Sequence, residues 1–426
     1  MAVASRSPEE LARQRLQMDA GRRRETPANP PVKRPRVLVL DLWCYVPYYD
    51  AYFCRGLREA GVNFDLAAIS YHQDRNLFRR VGLKNNSGLS DVVSRFSIRN
   101  APSRQALKFV EFLLNSFLLA VRFTFRRPDI LHTEFLPLLE RGWPLELWFV
   151  AYAKRLHIKI VHTVHNVLPQ GTGERRKDLY GRLYVLADAL ICQNEAARKR
   201  LTDEFGISPS AISIIPHGPL FYDRKNCSPE EARKKLDLPA DKTLVLWQGI
   251  VRPYKGVDFL LESWSQLQKT CPSALLVIAG SGEKKELTRI ARRVSELGLD
   301  SSVRLVLRFL SVEEVEACYQ AADIIVYPYS EITTSGALMT SLTYGKAVVA
   351  TNLPAFRELL HDGKNALLVN YGDTSGLVSA IQRLACDPSE RNRLSRQLSA
   401  EHSYEEDPWL SIARMTNACY LSVLNK

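Results

Sequence analysis

Two successive series of strand-length apolar runs most limit what this chain can fold into. The first series lies at residues 36–41, 64–69, 129–133, 159–164 and 188–192, and the second at 243–248, 274–279, 303–307, 323–327 and 347–351. Helical patterns separate the runs, and the runs are almost continuously apolar, as parallel strands covered on both faces are. The sequence therefore predicts an α/β protein with two doubly wound, Rossmann-like domains that face each other across a cleft.

The 426 residues have room for two or three domains at about 150 residues each. We predict Rossmann-like domains at 35–215 and 216–400, with a polar boundary stretch that begins at residue 216, and a C-terminal helix within 401–426. Residues 1–34 are rich in Arg, Glu, Pro and Ala and contain little that a core can bury. They are predicted to be a disordered basic tail.

Charge and cysteine usage limit the function classes. The chain carries 58 Lys and Arg against 46 Asp and Glu, and nine against four of these lie in the first 36 residues. The remaining excess is diffuse, which favours an anionic substrate or an anionic membrane surface over nucleic acid. Eight cysteines without a C-x-x-C pair argue against a zinc site or disulfide scaffold and fit a reducing cytoplasm. The sequence shows no secretory signal and no apolar run that spans a bilayer.

One segment, residues 107–127, has two interpretations. Its polar positions recur at helical spacing and leave a wide apolar face: Lys108, Glu111, Asn115, Arg122 and Arg126. The helix either packs on the first sheet or lies on an anionic membrane with Arg126 and Arg127 among its cations.

The stretch at 323–336 combines a strand, a loop that carries Glu331, and the start of a helix. Thr334 and Ser335 are suited to cap that helix, and Gly336 allows a ligand to approach the backbone. Amides at a helix start bind phosphate, and Glu331 can accept hydrogen bonds from sugar hydroxyls. The alternative is a capped helix beside an incidental acid.

Two cations, Arg252 and Lys255, follow the first strand of the second series. Together they can flank a diphosphate, the arginine as a fork and the lysine as a point charge. The sequence contains no Asp-x-Asp pair for a metal, so we predict that protein cations neutralise the leaving group. The next turn holds Gly280 and Gly282, lacks the last glycine of a dinucleotide fingerprint, and fits a tight turn beside a nucleotide. Solvated surface charges and an ordinary turn are the alternatives.

In the first half, His162 and His165 point to opposite faces of one strand and should not chelate one metal. We expect His162 in the core and His165 with Asn166 at the cleft. Glu134 ends a neighbouring strand and is a candidate base or acceptor ligand. His217 lies at the predicted hinge, where a role in the turn is equally open.

In their order along the chain, these stretches resemble the family-4 glycosyltransferases of the GT-B fold. The resemblance runs from about Arg36 to the C-terminus. It rests on the strand-end His-Asn, the Pro-His-Gly linker, Tyr-Lys-Gly, Ala-Gly-Ser-Gly, and the acid–Ser-Gly–helix stretch followed by a Val-Val strand. The Tyr-Lys-Gly and Glu-Ile-Thr-Thr-Ser-Gly motifs are similar to those of a bacterial branch of the family that builds exopolysaccharide or glycolipid. Trp409 and Tyr420 look like the family's C-terminal helix, which crosses back to the first domain.

The resemblance implies a retaining transfer of a sugar from a nucleotide-diphosphate donor. The N-terminal domain would take the acceptor and the C-terminal domain the donor. Arg252 and Lys255 would hold the diphosphate and Glu331 the donor sugar, the amides of Ser335 and Gly336 would assist, and His165 would approach from the first domain.

Two features depart from the family pattern. Many members carry a second glutamate on the helix, where it holds the ribose; the corresponding positions here are Met339 or Thr340. The family's glycine-rich loop after the first strand is also missing, because residues 42–47 read Leu-Trp-Cys-Tyr-Val-Pro.

We therefore expect a metal-independent glycosyltransferase without a cofactor, cytoplasmic and peripheral on the inner face of the cell membrane. Its partners would be a nucleotide-sugar donor, a saccharide or lipid-linked acceptor, and an anionic membrane surface, with no nucleic acid. Two other functions stay open: a nucleotide-sugar epimerase, and a non-catalytic nucleotide-sugar-binding subunit of a synthase.

Overall fold

The computed structural model describes residues 35–85, 89–95, 101–169, 173–222 and 227–425. The predicted tail at 1–34 lies outside the described residues.

Two six-stranded sheets, each entirely parallel, organise the described chain. The strands of the first sheet are β1 Val37–Asp41, β2 Phe64–Ala68, β3 Ile130–Thr133, β4 Lys159–Val164, β5 Ala189–Cys192 and β6 Ile212–Ile214. Those of the second are β7 Thr243–Gln248, β8 Ala274–Gly280, β9 Val303–Leu307, β10 Ile324–Tyr327, β11 Ala347–Thr351 and β12 Leu367–Val369. Every predicted strand is present to within about one residue at each end, and the short edge strands β6 and β12 are additional to the ten predicted runs. The predicted fold class is confirmed.

Helices flank both sheets. The helices of the first domain are Pro47–Glu59, Leu77–Arg80, Val92–Arg95, Ala101–Arg126, Pro137–Glu140, Leu145–Arg155, Lys177–Leu186 and Glu195–Phe205. Those that follow the linker are Pro229–Lys235, Val257–Thr270, Lys284–Glu296, Val312–Ala321, Gly336–Leu342, Pro354–Arg357, Thr374–Cys386, Pro388–Glu401 and Pro408–Leu424. In the part of the chain that the structure describes, no helix is long and apolar enough to cross a membrane.

The strands are apolar throughout because both faces of each sheet are covered. Along β1, Val37 and Val39 belong to one hydrophobic cluster, and Leu38 and Leu40 belong to the cluster on the opposite face. A fully buried Val or Leu side chain stabilises the fold by about 1.5–3 kcal/mol. Burial on both faces therefore holds each strand between two layers of helices, and the loops at the strand ends are anchored by it.

The last helix, Pro408–Leu424, packs against helix Pro47–Glu59 of the first domain. A Cβ at Gly56 would collide with the carbonyl oxygen of Trp409, so the two helices approach at a glycine. Tyr420 Oη lies 2.6 Å from His132 Nδ1 in the first sheet. The chain thus returns to the first domain after completing the second.

The strand orders locate the point where each sheet reverses direction. The first sheet has the order β2-β1-β3-β4-β5-β6 and the second β12-β11-β10-β7-β8-β9. The reversals fall between β1 and β3, and between β7 and β10. In open α/β sheets, ligands bind outside the carboxyl ends of the strands at such switch points.

Candidate active site

A cavity of about 290 Å³ lies between the two domains, at the carboxyl ends of the strands. The first domain contributes Tyr45, Tyr48, Tyr49, Tyr71 and His165 to its wall, the linker contributes His217, and the second domain contributes Lys255, Gly280, Ser281, Phe309 and Gly336. Of the predicted site residues, the structure therefore brings His165, His217, Lys255, Gly280 and Gly336 together on one cavity wall.

Lys255 is the cation that faces the cavity. It ends the 3₁₀ turn Pro253–Lys255, and a Cβ at Gly249 would lie 2.8 Å from its Nζ atom. The ammonium lies 5.6 Å from the ring centroid of Tyr329. Burial, and secondarily the charge of Arg252, lower the pKa of Lys255 to about 8. No carboxylate of the described residues opposes that shift, so the ammonium is an unneutralised cation in a partly buried site.

Arg252 lies at the rim of the cleft and not on the cavity wall. Its side chain is 44% exposed and pairs with Glu283 at 3.2 Å. Burial raises the pKa of Tyr45 in the first domain, and the charge of Arg252 opposes this shift. The guanidinium is therefore close enough to the first domain to act across the cleft.

The two glycines of the turn after β8 have different surroundings. A Cβ at Gly280 would collide with the carbonyl oxygen of Gly249, and Gly280 has a φ of +151°. Only glycine is compatible with this close approach of the two turns. Gly282 lies beyond the cavity wall, where a Cβ would meet the Cβ of Val251 at 3.0 Å.

The stretch around Glu331 begins a helix at the predicted place. Ser335 is the N-cap of helix Gly336–Leu342, and its Oγ accepts a hydrogen bond from the Leu338 amide at 3.1 Å. Thr334 Oγ1 lies 3.4 Å from Asn194 Nδ2 of the first domain. Glu331 itself is exposed and is not part of the cavity wall, whereas Gly336 is.

His165 is held from three sides. Its Nε2 lies 2.9 Å from Glu134 Oε2, and Gln193 Nε2 lies 3.2 Å from its Nδ1. The ring stacks on Phe135 with a centroid distance of 4.3 Å. Burial lowers the pKa of His165 to about 3, so the imidazole is neutral at physiological pH. The neutral tautomer that fits these contacts donates Nε2–H to Glu134 and accepts from Gln193 at Nδ1.

Glu134 is not on the cavity wall; it contacts His165, which is. Its side chain is fully buried, and burial raises the pKa of its carboxyl group. Asn166 lies with Glu134 on the wall of a separate hollow of about 30 Å³, which shares His165 with the main cavity. His162 is a buried core residue. Its Nδ1 lies 2.9 Å from Thr133 Oγ1, within hydrogen-bond distance.

His217 connects the linker to the second domain. Its Nδ1–H donates to the carbonyl oxygen of Gly218 at 2.5 Å. A Cβ at Gly336 would lie 3.3 Å from Nε2, so this nitrogen faces the start of helix Gly336–Leu342. Burial and the neighbouring His165 lower the pKa of His217 to about 4.

Sequence reasoning missed the aromatic wall of the cavity. Tyr45, Tyr48 and Tyr49 follow β1, at the position of the missing glycine-rich loop. The buried carboxylate of Asp41 holds this loop: its Oδ2 accepts from the amide of Tyr45 at 2.6 Å and from that of Val46 at 3.2 Å. The available signal was three tyrosines within the five-residue span 45–49, a few residues after a predicted strand end.

The helix after the loop carries no acid at the two positions considered above. Met339 is mostly buried, and Thr340 lies on the cavity wall, where its Oγ1 accepts a hydrogen bond from the Leu220 amide at 3.0 Å. Within the described residues, no group of three or more His, Cys, Asp or Glu side chains is arranged to hold a metal ion.

Comparison with known proteins identifies both domains. The family described as Glycosyltransferase Family 4 matches residues 49–218, and the family described as Glycosyl transferases group 1 matches residues 242–387. A curated relative is the D-inositol 3-phosphate glycosyltransferase of Corynebacterium aurimucosum. It is 24% identical over 308 residues, which cover 70% of this chain and 72% of the relative.

Two solved structures show the same fold. The structure of HepE of Anabaena in complex with UDP-glucose matches this chain with a TM-score of 0.70 at 15% identity. The match covers 91% of this chain and 99% of the HepE chain. The structure of WaaG, a glycosyltransferase involved in lipopolysaccharide biosynthesis, matches with a TM-score of 0.62 at 14% identity. This match covers 90% of this chain and 98% of the WaaG chain.

Proposed function

This chain belongs to the family-4 glycosyltransferases of the GT-B fold, and from that premise we propose the finer features of its reaction. The enzyme moves a hexose or hexuronic acid from a nucleoside-diphosphate sugar to a saccharide or lipid-linked acceptor, in polysaccharide or glycolipid synthesis. Transfer retains the anomeric configuration and needs no metal ion. The observation that carries the proposal is the unneutralised ammonium of Lys255 on the wall of the interdomain cavity.

The departing nucleoside diphosphate determines what the site must supply. When the bond from the anomeric carbon to the diphosphate oxygen breaks, the leaving group gains negative charge, and a fixed cation in a partly buried site stabilises that charge strongly. The lowered pKa of Lys255 marks a site where burial penalises the ammonium until an anion arrives. Arg252 is the second cation, and it exchanges Glu283 for a phosphate oxygen.

The sugar lies between the diphosphate and the first domain in this proposal. Glu331 accepts hydroxyl groups of the donor sugar after the domains close, with the amides of Ser335 and Gly336 assisting. His165 contacts the sugar from the first domain, and Glu134 and Gln193 position its ring. Closure also excludes water that would otherwise hydrolyse the donor.

The acceptor enters along the tyrosine wall of the first domain. Aromatic rings stack on the apolar faces of sugars, and the cavity presents Tyr45, Tyr48 and Tyr71 on that side. We place the enzyme in the cytoplasm, peripheral on the inner face of the cell membrane, where lipid-linked acceptors are presented.

The test has two stages. A thermal-shift screen of UDP-, GDP- and ADP-sugars identifies the donor, because a tightly bound donor raises the melting temperature. The enzyme is then incubated with that donor, labelled in the sugar, and a membrane lipid extract, with and without EDTA. We expect labelled product of retained configuration, in equal amount with and without EDTA. Its formation should fall about 100-fold or more in Lys255→Ala and persist in the exposed control Lys269→Ala.

Each other result has a defined meaning. Donor turnover to a free isomer without acceptor indicates an epimerase. Donor binding without turnover in any acceptor fraction indicates a non-catalytic subunit; the absence of an acid at 339 and 340 favours this alternative slightly. Undiminished transfer in Lys255→Ala contradicts the assignment of that residue.

A further inference from the structure

His217 has a ring nitrogen that no described residue uses, unlike the other histidine on the cavity wall. His165 Nε2 lies 2.9 Å from Glu134 and its Nδ1 3.2 Å from Gln193, so both of its nitrogens are engaged. His217 Nδ1–H donates to the Gly218 carbonyl oxygen at 2.5 Å, whereas its Nε2 makes no hydrogen bond within the described residues. Because His217 is half-buried and lines the cavity, Nε2 is open to a ligand there.

The bond to Gly218 fixes the chemistry of the open nitrogen. Burial, and then the neighbouring His165, lower the pKa of His217 to about 4, so the ring is neutral at physiological pH. Its one N–H is on Nδ1, because Nδ1 faces a carbonyl oxygen, and Nε2 therefore presents a lone pair. A lone pair repels the oxygens of a phosphate and accepts a hydrogen bond from O–H or N–H. The ligand group that suits His217 is therefore a hydroxyl or an N–H group.

The open nitrogen lies at the start of helix Gly336–Leu342. A Cβ at Gly336 would be 3.3 Å from Nε2. Lys255, the cation proposed for the diphosphate, lines the same cavity of about 290 Å³. A single ligand in this cavity can therefore place an anion at Lys255 and a hydroxyl at His217.

Two other polar side chains of the cavity wall have their oxygens engaged. Thr340 Oγ1 accepts from the Leu220 amide at 3.0 Å and donates to a carbonyl oxygen of its own helix at 2.8 Å. Gln248 Oε1 accepts from Tyr319 Oη at 2.9 Å. Of these three side chains, the imidazole is the one whose acceptor has no competing protein partner.

Packing fixes the imidazole ring before a ligand arrives. Tyr49 contacts it edge-on with a centroid distance of 5.1 Å, and Trp409 contacts it with one of 6.1 Å. The Trp409 indole donates to the Pro219 carbonyl oxygen at 2.7 Å, close to His217 in the linker. The last helix thus holds the linker in place, and an acceptor that is already oriented costs a ligand little entropy.

We propose that His217 Nε2 accepts a hydrogen bond from a hydroxyl group of the nucleotide sugar, on the ribose or on the transferred sugar, and so selects donors that carry this hydroxyl. A donor without it would leave the lone pair unpaired in a partly buried site, and an unmade hydrogen bond of this kind lowers affinity. The assignment rests on the proposed function, because it assumes a nucleotide sugar in the cavity.

Calorimetric titration of the full-length protein tests the assignment. The probes are UDP-glucose, or the nucleotide sugar that the thermal-shift screen selects, and its analogues that each lack one hydroxyl of the ribose or of the sugar. We expect at least one analogue to bind the wild type about five- to tenfold more weakly than the parent compound. The analogue that also loses its difference from the parent in the variant below identifies the ribose or the transferred sugar as the source of the hydroxyl.

Two substitutions separate the open nitrogen from the turn. In His217→Asn the amide nitrogen lies as many bonds from Cβ as Nδ1 does, so it can keep the donation to Gly218 while the acceptor is lost. This variant should bind the parent compound about five- to tenfold more weakly, and the identifying analogue within twofold of the wild type. His217→Gln places an oxygen as many bonds from Cβ as Nε2 and should recover part of the loss.

His402→Asn is the matched control. His402 is also a half-buried histidine with one ring nitrogen near a backbone carbonyl, 3.1 Å from that of Leu359, but it does not line the active cavity. The variant should bind the parent compound and its analogues as the wild type does.

Three results would overturn the assignment. The first is binding of every analogue to the wild type within twofold of the parent, a result that does not depend on the folding of any variant. The second is an equal loss for parent and analogue in His217→Asn, which would make His217 a structural residue of the linker turn. The third is the same change in His402→Asn. The proposed function fails separately: the wild type then neither binds a nucleotide sugar nor transfers from it, whereas an error about His217 alone leaves both intact.

Discussion

The two domains share one strand-and-helix architecture and present different chemistry to the cleft between them. The C-terminal domain contributes a cation and closely packed glycine turns, each from a short stretch directly after a strand: Lys255, Gly280 and Gly336. The N-terminal domain contributes tyrosines and a neutral histidine, which come from separate loops and are held by buried acids. The difference teaches that one wall, made of a cation and backbone turns, is encoded by local sequence, whereas the opposite wall depends on side chains assembled by the fold.

The largest effect should come from the cation of the C-terminal domain. Lys255→Ala is expected to lower kcat/KM for the donor about 100- to 1,000-fold, the cost of removing a stabilising group from a developing anion. Lys255→Arg should recover part of the loss. Steady-state kinetics check this, with Lys269→Ala as the control. A loss below tenfold would mean that the diphosphate lies elsewhere.

A change in the N-terminal domain should act differently. His165→Ala is expected to lower kcat about 100-fold, within the range of positioned polar groups in catalysis, while donor affinity measured by calorimetry stays within about twofold of the wild type. Glu134→Gln keeps a hydrogen-bonding partner beside Nε2 and should cost less. Equal losses of donor affinity in His165→Ala and Lys255→Ala would remove the contrast between the domains.

Arg252 should matter less than Lys255. Its guanidinium is 44% exposed and already paired with Glu283, so water and the carboxylate weaken its contribution. Arg252→Ala is expected to weaken donor binding about tenfold, and Glu283→Ala should not weaken it. Calorimetric titration of both variants compares them. A larger loss in Arg252→Ala than in Lys255→Ala would reverse the assignment of the principal cation.

Donor binding should weaken at alkaline pH. Because burial lowers the pKa of Lys255 to about 8, the free enzyme loses this positive charge as the pH rises through 8, and an anionic donor then binds less tightly. The dissociation constant should therefore increase between pH 7 and 9. In Lys255→Arg it should change little, since arginine stays charged. A wild-type profile as flat as that of Lys255→Arg would contradict the shift.

The smallest effect concerns stability in the N-terminal domain. Burial, and then the charge of Asp41, raise the pKa of Asp50 well above its usual range. A carboxyl group with a raised pKa in the folded state stabilises the protein fully below its unfolded pKa, and this stabilisation is lost as the pH rises toward the folded value. Asparagine does not ionise, so Asp50→Asn avoids this loss of stability. At pH 8 the substitution should raise the free energy of unfolding by about 1–2 kcal/mol and the melting temperature by a few degrees.

The comparison of Asp50→Asn with the wild type at pH 3.5 supplies the control. There Asp50 is protonated in the folded chain and mostly protonated in the unfolded chain, where its pKa has the ordinary value of 3.8, so the difference in melting temperature should be much smaller than at pH 8. A difference that is independent of pH would assign the effect to packing rather than to ionisation.

The sequence predicted the fold well because each strand is buried on both faces. Continuous apolar runs such as the one in Val37–Asp41 indicate strands covered on both faces, and the fold class follows from their alternation with helices. The placement of Lys255 and Gly336 near the cavity was predictable for the same reason, since a strand end fixes the loop that follows it.

Other site features depend on distant contacts. Glu134, the candidate base or acceptor ligand, lies behind His165, and this contact forms only when β3 and β4 are in register. Tyr71 and Phe309 come from different domains and meet at 6.1 Å only in the folded chain. No local pattern in the sequence encodes either contact, so the meeting of Tyr71 and Phe309 on the cavity wall was not predictable.

The contact between helix Glu195–Phe205 and Glu358 has a consequence for motion. The Glu358 carboxylate, from the second domain, accepts the amides of Glu195 and Ala196 at 3.2 and 3.0 Å. Beside it, the side-chain amide of Asn194 donates to the Thr333 carbonyl oxygen at 2.6 Å. Thr333 lies on the loop between β10 and helix Gly336–Leu342. If the domains move apart, these three hydrogen bonds break, and the loop that carries Thr333 loses this contact with the first domain in the same step. The angle between the two domains and the conformation of the loop before helix Gly336–Leu342 are therefore coupled.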